Sequence, residues 1–172
     1  MPTLWDSVRQ ARGKTASVSW PVTAGAPIDY NVPEVWPQEI KDCLAPVRQQ
    51  TTPKGLFEES EQRTTGLLTA RDMSSDYMSG DENGSRIAAY LVETCKPTLL
   101  TLHVSGVDHA EYRDGRDGEH LRRALATADW VVGNLVEARA KAGIDKEMAV
   151  IVAGDHVSVD INTTLVPNVW LV

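Results

Sequence analysis

A long amphipathic helix between two short apolar runs constrains the fold of this chain more than any other feature. The helix is predicted at residues 119–142, where apolar residues recur at three- and four-residue steps and Gly143 follows as a stop signal. The run at 98–104 reads as a buried strand, and 148–153 is apolar on both faces, as in strands covered on both sides. This order predicts a right-handed crossover and an α/β fold with a mostly parallel sheet flanked by helices. The apolar helix positions are Leu121, Leu125, Ala128, Val132, Leu135 and Ala138.

Shorter signals predict the elements of the first 50 residues. Thr3 and Asp6 have the spacing of a capping box, so a helix is expected to begin at Thr3. Residues 15–20 form a short predicted strand, and the proline-rich stretch 21–37 reads as an irregular loop. A helical period then runs through 37–50.

The middle of the chain is harder to interpret. Residues 51–80 are polar and include an acidic cluster at 58–61, so they read as a solvated helix and loop, or a poorly defined insertion. Asp81 or Asn83 is expected to open the next helix, which ends before Pro97. The whole chain, 1–172, is interpreted as a single domain.

The net charge of −7 limits the partners of the chain. No basic stripe offsets this charge, so a nucleic acid is not an expected partner. The same charge repels phosphate groups unless metal cations reverse the local field. No apolar run approaches the roughly 20 residues that span a bilayer, and the N-terminus lacks the basic and apolar segments of a signal peptide, so no membrane partner is expected.

Two Asp-His dipeptides follow the two apolar runs. They are Asp108-His109 and Asp155-His156. Because the C-terminal ends of parallel strands meet at one edge of a sheet, both pairs are expected at that edge. Carboxylates and imidazoles are common ligands of divalent metals, and two such pairs indicate a site for two metal ions. A helix or turn cap is the alternative role for Asp108.

Six separate segments, in a consistent order, carry a family resemblance. They cover most of the chain except about residues 50–80, and they are Pro-Thr-Leu-Trp-Asp-Ser-Val-Arg (2–9), Gly-Lys-Thr-Ala-Ser-Val-Ser-Trp-Pro-Val-Thr-Ala-Gly-Ala (13–26), Ile-Ala-Ala-Tyr-Leu (87–91), Leu-His-Val-Ser-Gly-Val-Asp-His-Ala-Glu-Tyr (102–112), Gly-Asp-His (154–156) and Pro-Asn-Val-Trp-Leu (167–171). Together they resemble the type I phosphodiesterase/nucleotide pyrophosphatase branch of the alkaline phosphatase superfamily.

The resemblance implies a fold and a chemistry. The fold is an alkaline-phosphatase-like three-layer sandwich, of which this chain represents a part. The chemistry is hydrolysis of a phosphate ester or nucleotide at two metal ions, usually zinc. A Thr or Ser attacks phosphorus to give a covalent phospho-enzyme, which water then hydrolyses, while the cations stabilise the entering and leaving oxygens.

The resemblance assigns metal-ligand positions to three residues of this chain. Asp108 matches the Asp of one metal, but the expected His four residues later is Tyr112, a neutral phenol and a poor zinc ligand. Asp155 and His156 match the Asp-His pair of the other metal, although Val157 stands where the family usually has Gly. At most one weak zinc site is therefore expected.

The same resemblance implies that further functional residues lie outside the matched segments. The family's nucleophile and an early Asp precede the segment at 2–9, and its C-terminal His follows the segment at 167–171. No nucleophile is therefore expected in this chain. Ser17, Ser19 and Thr23 are not expected to replace it, because the sequence places no His or acid to activate them.

Three interpretations of the chain remain open at the level of the sequence. The chain is either a portion of a metal-dependent phosphoric ester hydrolase that is inactive alone, or a non-catalytic binding or interaction module, or a gene remnant without function. The intact Asp108, Asp155 and His156 favour the first, and the Tyr112 and Val157 departures favour the second. Because apolar strands without neighbours leave sheet edges exposed, self-association or a complementing chain is also expected.

Overall fold

The strands form one small parallel sheet in the part of the chain that the structure describes. The computed structural model describes residues 2–35, 44–74, 77–156, 159, 162–163 and 166. The strands are β1 (Thr15–Val18), β2 (Tyr30–Val32) and β3 (Leu99–Leu102), in the order β2-β1-β3. Both strand pairs are parallel. The expected α/β fold is confirmed, and it is consistent with part of an alkaline-phosphatase-like sandwich.

Helices flank this sheet. Thr3 begins the first helix with the predicted capping box: its hydroxyl accepts from the Asp6 amide at 3.2 Å, and the Asp6 carboxylate accepts from the Thr3 amide at 2.8 Å. None of the described helices is both long enough and apolar enough to cross a membrane. The helices are α1 (Leu4–Gln10), α2 (Leu44–Gln50), α3 (Leu56–Ser60), α4 (Ala70–Ser74), α5 (Tyr77–Cys95), α6 (Gly106–Asp114) and α7 (Glu119–Lys141).

The main core lies between β1 and α5. Ala16 and Val18 pack into one buried cluster with Ile87 and Leu91, which follow the helical period of α5. This helix begins at Tyr77, so the prediction of a start at Asp81 or Asn83 is wrong. The Asp81 side chain does satisfy backbone amides, but they belong to the start of α6 rather than to its own helix.

The first half of the chain departs from the sequence analysis in two places. The loop predicted at 21–37 contains β2, whose Asn31 also forms an isolated bridge with Thr52. The helix predicted at 37–50 is observed from Leu44, and residues 37–43 lie outside the described residues.

Residues 51–74 form short helices and loops with many exposed side chains, as expected, but part of this segment is buried. Phe57 of α3 is fully buried, and so is Glu61, which opens a π-helical turn at Glu61–Thr65. The two Glu61 oxygens accept hydrogen bonds from the Arg48 guanidinium at 2.6 and 2.7 Å, and Oε1 also accepts from the Leu68 amide. A buried carboxylate is tolerated when paired and hydrogen-bonded in this way. The polar composition of this segment therefore gave no indication that part of it belongs to the core.

The long helix is confirmed, but the face that it buries is shifted from the predicted one. The buried residues of α7 are Leu121, Ala124, Val131 and Ala138. Leu125, predicted on the apolar face, is 52% exposed. Apolar residues occur on two adjacent stripes of this helix, and packing against α5 and α6 decides which stripe is covered.

The strand predicted at 148–153 is absent from the structure. These residues form no strand, and Ile151 is 88% exposed. β3 is also shorter than the predicted 98–104, and its residues are only half-buried. A strand needs a neighbour to satisfy its backbone amides and carbonyls. Within the described ranges no other segment pairs with 148–153, and β3 pairs with β1 alone.

Candidate functional site

Asp108 lies just beyond the C-terminal end of β3. The strand ends at Leu102, a short connection follows, and α6 begins at Gly106, so Asp108 falls in the first turn of this helix. The expected position at the C-terminal edge of the sheet is therefore observed. Asp108 does not act as the cap of α6, which was its alternative role, because Asp81 accepts from the amides at the helix start.

Asp155 and His156 approach Asp108 from the segment that follows 148–153. The His156 Nε2 atom lies 3.4 Å from Asp108 Oδ1 and 3.9 Å from Asp155 Oδ2. The imidazole thus stands between the two carboxylates. The structure brings together all three residues that the sequence analysis named as candidate metal ligands.

The spacing of these atoms can be compared with the needs of a metal ion. Zinc bonds of about 2.0–2.1 Å in a tetrahedral site place neighbouring ligand atoms about 3.3 Å apart. The separation of 3.4 Å between His156 Nε2 and Asp108 Oδ1 fits this value. Asp108 Oδ1 is also buried and has no hydrogen-bond partner, so this acceptor is available to a cation.

Asp155 fits a metal ion less well. Its side chain is 87% exposed, and its Oδ1 atom accepts a hydrogen bond from the His156 backbone amide at 3.1 Å. Across the described residues, no three His, Cys, Asp or Glu groups are placed closely enough to hold a metal ion. Two of the three donors therefore have ligand spacing, and the third requires a movement of the exposed Asp155 carboxylate.

The neighbours of Asp108 on α6 do not complete the site. Tyr112 lies one turn further along the same helix face, and it is 78% exposed. His109 follows Asp108 directly and is therefore rotated by about 100° around the helix axis. Burial raises the pKa of the nearby Asp81, and the His103 and His109 imidazoles offset a part of this rise electrostatically.

The hydroxyl groups considered as replacement nucleophiles face other partners. Ser17 is fully buried and accepts a hydrogen bond from the Thr101 hydroxyl at 3.2 Å. The buried Thr23 hydroxyl donates to the Trp20 carbonyl at 2.7 Å. The Ser19 hydroxyl lies against Gly84 of α5. The Ser17 and Thr23 hydroxyls are thus engaged within the fold, and the absence of a nucleophile among the three residues stays a prediction.

Asp81 is the residue near this site whose role the sequence analysis missed. It is buried in α5, and its carboxylate accepts hydrogen bonds from the amides of Ser105 at 3.0 Å and Gly106 at 2.8 Å. Burial raises the pKa of Asp81, while the two amides favour its charged form. The sequence offered only a weak signal, because a contact between residues 25 apart leaves no local pattern.

Comparison with known proteins adds to this geometry. No curated protein and no solved structure matches the chain. The sequence model of one family, described as type I phosphodiesterase / nucleotide pyrophosphatase, matches residues 2–172. Since this match spans nearly the whole sequence, the chain belongs to the type I phosphodiesterase / nucleotide pyrophosphatase family.

Proposed function

We propose that this chain contributes the metal-binding part of a phosphoric ester hydrolase, and that Asp108, Asp155 and His156, which the resemblance assigns to two metal positions, here converge on one divalent cation. The convergence of these side chains supports the proposal, because His156 Nε2 lies within 4 Å of both carboxylates. The family is generally metal-dependent, and the chain contains these donors at the edge of the sheet where its strands end.

Zinc is the proposed cation. One imidazole nitrogen and two carboxylate oxygens form a donor set that zinc accepts, and catalytic zinc sites keep a further position open. When bound, the cation polarises a phosphoryl oxygen and lowers the pKa of coordinated water. A cation at this place also offsets the net charge of −7, which otherwise repels phosphate. We expect weak binding, because Asp155 is exposed and Tyr112 replaces a better ligand.

The chain alone is proposed to be inactive towards phosphate esters and nucleotides. The Ser17 and Thr23 hydroxyls, two of the three considered above, are buried and hydrogen-bonded to the Thr101 hydroxyl and the Trp20 carbonyl, which supports this proposal. We propose that the nucleophile comes from a further polypeptide segment, supplied by a complementing chain. The exposed apolar residues at 148–153 provide a surface for such an assembly.

A second candidate function is a non-catalytic binding or interaction module. The observation that favours it is Tyr112, which occupies the position of an expected ligand and points its phenol largely into solvent. A module of this kind keeps the shape of the site without its complete ligand set. It binds no zinc through Asp155 and His156, and this separates the two proposals.

Zinc titration by calorimetry tests the proposed function. The wild type is expected to bind zinc weakly, and Asp155→Ala and His156→Ala are expected to reduce this binding at least tenfold. Asp117→Ala, in the exposed turn before α7, serves as the control and is expected to bind like the wild type. Equal binding by all variants would argue for the interaction module.

An assay with bis(p-nitrophenyl) phosphate in excess zinc tests the inactivity of the chain. No turnover above the zinc-only background is expected. Hydrolysis that disappears in Asp155→Ala would show that the chain carries a complete catalytic set.

A further inference from the structure

The carboxylate of Asp81 connects two helices at the edge of the candidate site. Asp81 belongs to α5, while the amides that it accepts from, those of Ser105 and Gly106, belong to the start of α6. The first amides of a helix have no partner within that helix. The Ser105 side chain makes no capping hydrogen bond, so a residue from another helix provides the cap.

This contact lies close to the proposed metal ligand. Asp108 follows Gly106 by two residues, within the same first turn of α6. We infer that Asp81 is a positioning residue for the metal site, because it fixes the start of α6 and so holds Asp108 Oδ1 facing His156 Nε2. This inference rests on the proposed function of Asp108, Asp155 and His156 as metal ligands.

Gly106 supports the same assignment from the other side of the contact. A Cβ atom at this position would lie 2.6 Å from Asp81 Oδ2, well inside normal contact distance. The carboxylate therefore reaches the helix start only because residue 106 has no side chain. Asp81 and Gly106 fit each other, and a change in either residue moves the first turn of α6.

The favourable partners of Asp81 explain how a buried carboxylate is kept near a cation site. Two backbone amides donate to its oxygens and offset part of the cost of burial, which on balance still raises the pKa of Asp81. Buried carboxylates without such partners are strongly disfavoured. Asp81 acts through the backbone of α6, which distinguishes it from the proposed metal ligands.

Asp81→Asn tests the inference with two measurements. The amide keeps the size of the side chain but retains only one acceptor atom, so one of the two helix amides loses its partner. In zinc-free protein, hydrogen exchange at Ser105 and Gly106 is expected to accelerate at least tenfold. In calorimetry, the zinc affinity is expected to fall about 10-fold, as it does for other residues that orient metal ligands.

Asp29→Asn is the matched control. Asp29 also accepts from a backbone amide and a hydroxyl, those of Thr15 at 2.9 and 2.8 Å, but at the opposite end of the sheet. Its replacement is expected to lower thermal stability without a change in zinc affinity. A loss of zinc affinity in Asp81→Asn but not in Asp29→Asn indicates positioning rather than general destabilisation.

Gly106→Ala provides a second variant that keeps the Asp81 charge. The added methyl group is expected to displace the carboxylate and to weaken zinc binding in the same direction as Asp81→Asn. If both variants keep wild-type zinc affinity, or if Asp81→Asn leaves hydrogen exchange of the two amides unchanged, the inference is wrong. If the wild type binds no zinc, the proposed function fails instead, and the exchange measurement still tests the contact.

Discussion

Glu61 shows how a single buried charge can be stabilised in a segment that looks solvated. Burial alone would raise the pKa of Glu61, but the hydrogen bonds from Arg48 and from the Leu68 amide outweigh it, and the net effect is a lowered pKa. The Arg48 guanidinium also stacks over the Phe57 ring, with its carbon 4.7 Å from the ring centroid. These contacts join α2, α3 and the π-helical turn.

Glu61→Gln is expected to lower the free energy of unfolding by about 3 kcal/mol at pH 7, because it removes the buried charged partner of Arg48 and leaves only the half-exposed Glu58. The lowered pKa of Glu61 sets the pH dependence. Its stabilisation is complete above the unfolded value near 4.5 and is lost as the pH falls through the lower, folded value. Urea unfolding from pH 7 to pH 3 should therefore show the two proteins converging at the acid end.

Glu58→Gln is the control for this prediction. Glu58 also lies 3.5 Å from Arg48, but its side chain is about half exposed, so the pair is screened by solvent. Its replacement is expected to cost less than about 0.5 kcal/mol. A loss of stability for Glu58→Gln as large as for Glu61→Gln would show that burial does not decide the strength of this pair.

At the same scale, the sequence named three side chains that the structure brings together, but it did not indicate the neighbouring Asp81. Asp108, Asp155 and His156 could be named because two Asp-His pairs follow apolar runs, and Asp108 does follow β3, although 148–153 forms no strand. Asp81 could not, since its partners on α6 are distant in sequence. Local patterns identify groups at the ends of elements, whereas the contacts between elements depend on packing.

The elements themselves follow local rules where a helix can satisfy its own backbone. The capping box of α1 and the long period of α7 were both predictable for this reason. The failed strand at 148–153 has the opposite cause, because a strand depends on hydrogen bonds to another segment. The apolar composition of this segment therefore predicted a strand, but none of the described segments pairs with it.

The buried stripe of α7 gives a prediction at the level of the element. Val131 is buried between α7 and its neighbours, while Leu125 is half exposed on the adjacent stripe. Val131→Ala removes two buried methyl groups and is expected to destabilise the fold by about 2 kcal/mol. Leu125→Ala, although it removes more atoms, is expected to cost less than about 0.5 kcal/mol. Thermal or urea unfolding of both variants compares the two stripes, and the reverse order of stabilities would contradict the packing.

For the whole molecule, the distribution of apolar surface is uneven. Beyond the cores that α5 and α7 cover, apolar side chains at Ile151 and Val152 are largely exposed, next to the segment that carries Asp155 and His156. β3 pairs on one side only among the described strands. An unpaired edge and an uncharged apolar segment are the features through which chains associate.

The purified chain is therefore expected to self-associate when no complementing chain is present. Light scattering should give a mass above that of the 18.8 kDa monomer, and the mass should rise with concentration. Ile151→Lys places a charge in the apolar segment and is expected to shift the distribution towards monomer. Leu67→Lys is the control, because Leu67 is also strongly exposed but lies outside this segment. A wild-type chain that stays monomeric at all concentrations and melts steeply and cooperatively would contradict this prediction. It would show that the fold tolerates the unpaired edge of its sheet, and the proposed assembly would lose its physical basis.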